Sequence, residues 1–140
     1  MKVRDVMSDK VEWANPGSSI MDVAKMMEQF DVGSVPVCEN KKLKGIVTDR
    51  DIVLRGVAKG ANWASLQASQ IMSTTLVTVT PDTDAHVAAD LMSKHQIRRL
   101  PVVEKGELVG MLALGDLAIE RIHVDEAGEA LSDISRGIQH

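Results

Sequence analysis

Gly45-Ile46-Val47-Thr48-Asp49-Arg50-Asp51 runs directly into Ile52-Val53-Leu54. A glycine followed by a β-branched pair reads as a strand, and a Thr-x-x-Asp opening an apolar run reads as a helix start. Such a junction presents backbone N–H groups with no helical partner. Beside them, Thr48 supplies a hydroxyl and Asp51 a carboxylate one helical turn on. A carboxylate only accepts hydrogen bonds, which suits it to holding two sugar hydroxyls. Asp is equally at home as a helix N-cap, and the two roles are compatible. The junction recurs at Gly110-Met111-Leu112-Ala113-Leu114-Gly115-Asp116, where Ala113 replaces the threonine.

That recurrence is one part of a gapless duplication. Met7-Ser8 and Met72-Ser73 are 65 positions apart, as are Pro16 and Pro81, Pro36 and Pro101, Gly45 and Gly110, and Asp51 and Asp116. Apolar character is kept where identity is not, in the pairs Val11/Leu76, Met26/Leu91, Val32/Ile97 and Leu43/Leu108. A constant offset through every turn identifies two copies of one unit.

Each copy reads as strand–helix–strand–strand–helix. The first strand is expected around Val11-Glu12-Trp13-Ala14 and Leu76-Val77-Thr78-Val79, ended by Pro16 and Pro81. The helix that follows places Ile20, Val23, Ala24 and Met27 on one face behind a Ser19/Asp22 capping pair. Its mate places Ala85, Ala88, Ala89 and Met92 behind Thr83 or Asp84. Ser34-Val35-Pro36-Val37-Cys38 and Leu43-Lys44-Gly45-Ile46-Val47 then form a hairpin around Glu39-Asn40-Lys41-Lys42, matched by Arg99–Val103 and Leu108–Leu112 around Lys105-Gly106. The fold class is therefore α/β in the α+β sense, two βαββα copies packed as a pseudo-twofold pair, since one unit of about 50 residues buries too little apolar surface alone. The expected boundaries are 1–60 for the first copy, 61–70 for a linker, 71–121 for the second copy and 122–140 for a partly helical C-terminal tail.

Composition narrows the function. A net charge of −4 argues against a general nucleic-acid binder. Trp13, Trp63 and Phe30 are the only aromatics, too few for a stacking platform. No run approaches the ~18–20 apolar residues of a membrane span, and Met1-Lys2-Val3-Arg4 leads into no signal-type apolar region, so the cytoplasm is the expected compartment. Cys38 lies in a buried-strand pattern and reads as an inert core thiol. His86, His95, His123 and His140 show no metal-ligand spacing, and no nucleophile–base set can be assembled, so neither a metal nor catalysis is expected.

The repeated Val6-Met7-Ser8 and Ile71-Met72-Ser73, the mid-strand Pro-Val after Val-Gly-Ser-Val or Ile-Arg-Arg-Leu, and the Gly-x-x-Thr-x-x-Asp junction together resemble a tandem CBS-domain pair, or Bateman module, over roughly residues 1–120. The likeness is to the small stand-alone members with no attached enzyme, channel or transporter. It implies a sensor of AMP, ADP, ATP or an adenosyl analogue such as S-adenosylmethionine, with no required cofactor, and two clefts between the copies. Carried over by position, Thr48, Arg50 and Asp51 would form the ribose and phosphate edge of one cleft, faced by Thr80, Ala85, Arg98 and Arg99. The other would pair Asp116 with Asn15, Ile20, Gly33 and Ser34. The resemblance also implies a homodimer through helices near Ile20–Phe30 and Ile52–Val57. Guanidinium forks match phosphate oxygens, so the cleft with Arg98 and Arg99 is expected to be the stronger phosphorylated-nucleotide site. The rival expectation is a ligand-free dimerisation or protein-interaction scaffold.

Overall fold

A computed structural model describes residues 1–119 and Ile134. The rest of the expected tail, with His123 and His140, lies outside the described residues. The chain divides into two compact units, one spanning Glu12–Leu76 and the other joining Met1–Val11 to the chain from Val77 onward.

In the Glu12–Leu76 unit, α1 (Ile20–Phe30) begins where Ser19 Oγ accepts the Asp22 N–H at 3.1 Å and ends at Asp31, whose backbone is left-handed. Its Ile20 and Val23 are buried. Strands β1 (Ser34–Glu39) and β2 (Lys42–Thr48) pair antiparallel from Ser34 opposite Thr48 to Glu39 opposite Lys42. Asn40 and Lys41 between them both take positive φ, 51° and 67°, the turn whose twist matches that of its strands. The chain continues as α2 (Asp49–Asp51), a π-helical turn over Ile52–Gly56 and a 3-10 turn over Val57–Lys59. After a loop comes α3 (Ala68–Ile71). Ala68 and Ile71 join Ala14, Ile20, Val23, Val35, Val37 and Val47 in the core, so part of the expected 61–70 linker is built into this unit.

The second unit repeats the plan with α4 (Ala85–His95), β3 (Arg99–Glu104), β4 (Glu107–Ala113) and α5 (Leu114–Ile119). Asp84 caps α4, its Oδ1 accepting the His86 N–H at 2.8 Å. Ala85, Ala88, Ala89 and Met92 are all buried, the face that their spacing predicts. Ile134 belongs to the same core.

Two expectations are corrected. The first strand of each copy is a single parallel bridge, Ala14 to Val37 and Val79 to Val102. Ala14 donates to Pro36 O and accepts from the Cys38 N–H, both at 2.9 Å, and Val79 repeats this with Pro101 and Val103. Two residues further on, Pro16 and Pro81 have no N–H to extend the ladder. The helix expected to start near Asp51 is a three-residue α turn, Asp49–Asp51, that widens into the π turn at Ile52.

The mid-strand prolines cost no ladder bond. Pro36 lies opposite Ile46, and Pro101 opposite Met111. Ile46 instead exchanges backbone bonds with Ser73 at 3.0 and 2.8 Å, and Met111 with Ser8 at 2.9 Å both ways. These bonds are the clue to how the units are assembled from the sequence. Ser73 opens the second copy yet pairs with a strand of the first, while Ser8 opens the first copy yet pairs with a strand of the second. The segment around residue 67 likewise bonds α1's entry, through Ala68 N–H to Ser18 O (2.8 Å) and Ile20 N–H to Leu66 O (2.9 Å). Its mate near the N-terminus bonds α4's entry, through Val3 N–H to Thr83 O (2.8 Å) and Ala85 N–H to Met1 O (2.9 Å). On the surface, Arg4 first and Lys2 second hold the Asp82 carboxyl below its ordinary pKa. Each copy has exchanged its lead-in with the other.

A fragment spanning 12–76 is expected to retain more helix and a more cooperative thermal melt by circular dichroism than one spanning 1–65. The two have similar lengths, but only the former holds the lead-in that its hairpin uses.

Candidate ligand-binding site

In the Glu12–Leu76 unit the strand-to-helix junction is closed by a reciprocal pair. Asp51 N–H donates to Thr48 Oγ1 at 3.0 Å, and Thr48 N–H donates to Asp51 Oδ2 at 2.9 Å. The cap reading of Asp51 is therefore correct, and it engages only one carboxylate oxygen. The other, Oδ1, lies 3.7 Å from Arg55 Nε, with the Asp51 side chain 15% exposed. Arg50 is exposed and its N–H donates to Asp49 Oδ1 at 2.8 Å.

Alongside, the Asp49 N–H donates to Gly33 O at 2.9 Å, and a Cβ on Gly33 would lie 3.3 Å from Asp49 Oδ2. The Asp49 carboxylate thus occupies the space over Gly33. Ser34, opposite Thr48 in the hairpin, has a buried Oγ with no hydrogen-bond partner. Asn15 is exposed, with its N–H held by Ser18 Oγ at 3.0 Å. Ile20 is 1% exposed and its N–H is taken by Leu66, so its side chain belongs to the core.

In the second unit the equivalent junction keeps half of the cap. Ala113 N–H donates to Asp116 Oδ2 at 3.0 Å, and no hydroxyl returns the bond. Arg98 C=O accepts the Leu114 N–H at 2.8 Å, the counterpart of Gly33 and Asp49. A cation beside an apolar residue here replaces the glycine beside a carboxylate there. Arg98 is exposed, and Arg99, half-buried, starts β3 opposite Ala113. Thr80 sits in the turn before α4, its N–H bonded to Thr83 Oγ1 at 3.0 Å. Ala85 is fully buried with its N–H bonded to Met1.

Thr48, Arg50 and Asp51 are thus contiguous in one unit, and Arg98, Arg99 and Asp116 flank one junction in the other. Sequence reasoning passed over Asp49 and Arg55. The Asp51/Arg55 spacing of four on a helical stretch was the available signal for the second. Among the described residues no group of three or more His, Cys, Asp and Glu could hold a metal ion.

The sequence pattern of the CBS domain matches residues 3–57 and again 68–122. The chain belongs to the CBS-domain family. The CBS domain-containing protein YhcV of Bacillus subtilis is 44% identical over 133 residues, covering 95% of this chain and 94% of that protein. A putative acetoin utilization protein (AcuB) from Vibrio cholerae is 31% identical with a TM-score of 0.80, over 92% of this CBS protein and 96% of its own chain. The CBS domain pair of protein MJ0100, solved with 5′-methylthioadenosine and S-adenosyl-L-methionine, is 27% identical with a TM-score of 0.75, over 85% and 98% of the two chains.

The half-cap yields a paired expectation. Thr48→Ala should cost about 1 kcal/mol in urea unfolding, while Ala113→Thr, rebuilding the missing half, should return up to about the same amount.

Burial pushes the Cys38 thiol from 9.0 up to about 11. Above pH 9 the unfolded chain loses this proton while the folded chain keeps it, so the stability that depends on it falls between about pH 9 and 11. Melting temperatures of the native chain and Cys38→Ala should converge over that window. With no tyrosine in the chain, the thiolate's ultraviolet absorbance can be followed directly.

Proposed function

We propose that this CBS protein is a regulatory module that binds an adenosyl ligand, AMP, ADP, ATP or S-adenosylmethionine, without catalysing a reaction. The observation that carries the reading is the Thr48–Asp51 junction. There the carboxylate is fixed by its backbone bond on one oxygen and keeps the other for hydroxyl donors. The adenosyl compounds bound by the MJ0100 pair share a ribose that such a group suits.

In this reading Asp51 takes the ribose hydroxyls and Thr48 orders the junction. We assign Arg50 and Thr80 to ligand contact, and Arg98 and Arg99 to phosphate. Asp116 and Asn15 make the weaker ligand contacts in this reading, because Ala113 stands where the first junction has Thr48. Ile20 and Ala85 back the two sites from the core. Ligand binding then regulates a partner only by its difference in affinity between two arrangements of the module. Among the described residues no helix is long and apolar enough to cross a membrane, and we place the module in the cytoplasm.

A second reading, a ligand-free dimerisation scaffold, is favoured by one observation. Met21 and Phe30 on α1, Val53 and Leu54 on the π turn, and Val57 and Trp63 beyond it are all exposed. We include a homodimer through these helices in the first reading as well. Light scattering should give twice the 15.2 kDa chain mass, and the mass of one chain would remove the dimer.

A thermal-shift series with AMP, ADP, ATP and S-adenosylmethionine separates the readings. A ligand at 100 times its Kd adds about 2.7 kcal/mol, a rise of several degrees for a domain of this size. Asp51→Ala combined with Arg99→Ala should abolish the rise. No rise with any of the four at millimolar concentration selects the scaffold.

A further inference from the structure

Resting on the reading of Asp51 as the ribose ligand, we infer that Arg55 is the positioning residue that aims the free oxygen of Asp51, and that it does so in the first repeat alone. Arg55 is tied at two points. Its Nη1 donates to Ile71 O, the last carbonyl of α3, at 3.1 Å, and its Nε stands 3.7 Å from Asp51 Oδ1. The first contact is a hydrogen bond with a part-buried acceptor, which fixes the guanidinium. The second is too long for a hydrogen bond yet close for opposite charges.

Asp51 is thereby held from two sides. The Thr48 N–H anchors Oδ2, and the guanidinium attracts Oδ1 without occupying its lone pairs. A carboxylate fixed in this way meets a vicinal diol with little rotamer freedom left to lose, which is the advantage of preorganisation. The anchoring point is itself rigid. Ile71 is 2% exposed, Met72 packs against Gly45, and Ser73 is bonded to Ile46 in β2.

The position 65 residues beyond Arg55 is Glu120. The Asp116 site has an acid in sequence where the Asp51 site has a guanidinium, so the feature adds to the inequality already read from Thr48 and Ala113. Arg55 acts on the carboxylate and leaves recognition of the base or phosphate to other groups. Its effect is therefore confined to ligands that carry the diol.

The test is isothermal titration with AMP and with 2′,3′-dideoxyadenosine 5′-monophosphate, on the full chain and on Arg55→Ala, Arg55→Gln, Arg55→Lys and Asp51→Asn, with ligand-free melting temperatures alongside. Arg55→Ala should weaken AMP by about tenfold, the scale of one hydrogen bond to a charged group. Arg55→Gln, which keeps an uncharged N–H donor at about the place of Nε but does not reach as far as Nη1, should lose affinity similarly, with a change in melting temperature no larger than that of Arg55→Ala. Arg55→Lys should fall between it and the native chain. The dideoxy nucleotide should bind the native chain and the Arg55 variants alike. If Asp51→Asn loses AMP while Arg55→Gln binds it as the native chain does, the role of Arg55 is refuted and the ribose reading stands. An equal loss for both nucleotides in Arg55→Gln refutes it too, because a general structural defect does not distinguish the diol. If Asp51→Asn keeps native affinity for AMP, or the native chain does not bind AMP, the reading of Asp51 falls and takes the inference with it.

Discussion

The hydrogen-bonded pairing of Ser73 with Ile46, and of Ser8 with Met111, is the constraint on which the rest of each unit depends. It brings the lead-in so close to the hairpin that a Cβ on Gly45 would lie 2.5 Å from Met72 Sδ and 2.9 Å from Ser73 O. On Gly110 a Cβ would meet Met7 Sδ and Ser8 O, both at 2.8 Å. No side chain fits at such distances, and the backbone oxygens cannot swing aside. Once Ile46 and Met111 turn their polar groups toward the lead-ins, the residues opposite them have no ladder bond to make, and proline is accommodated there. Glycine and proline at these positions are two consequences of one pairing.

The same hairpins present the junctions, and there the two copies part company. Their backbone bonds are alike, down to Asp49 donating to Gly33 and Leu114 to Arg98. The side chains placed on that shared frame are not. A duplicated scaffold with a complete cap, a carboxylate over glycine and a nearby guanidinium on one side, and a half-cap beside two arginines on the other, holds two chemically distinct half-sites. Sequence divergence has fallen on the side chains that face a ligand in the proposed reading, while the bonds that set the frame are kept.

Much of this was legible in the chain. The offset of 65 gave the duplication, and apolar spacing gave the buried faces of α1 and α4. Ser19, Asp84 and Thr48 cap where short polar side chains before apolar runs are expected to. The first strands were not legible as single bridges, because alternation of apolar residues does not report where a partner strand stops offering bonds. The π turn after Asp51 has no propensity signature. The exchange of lead-ins was hidden for a different reason. Periodicity describes each copy and is silent on which copy a segment packs against, so sequence repeats at 1–60 and 71–121 and compact units with other limits coexist. Asp49 and Arg55 lie outside the motif positions, and a helical spacing of four marks a charge pair without marking a site.

Domain swapping between protomers is a low-cost route to dimers, in which identical elements change places. This chain contains the same trade made internally, between two copies joined by a covalent connection. The tether supplies the partner element at an effective concentration of about millimolar or more, so closure does not depend on meeting a second molecule. A chain holding one copy would have to find its lead-in on a neighbour. Duplication has therefore turned what would be a concentration-dependent assembly into a folding step.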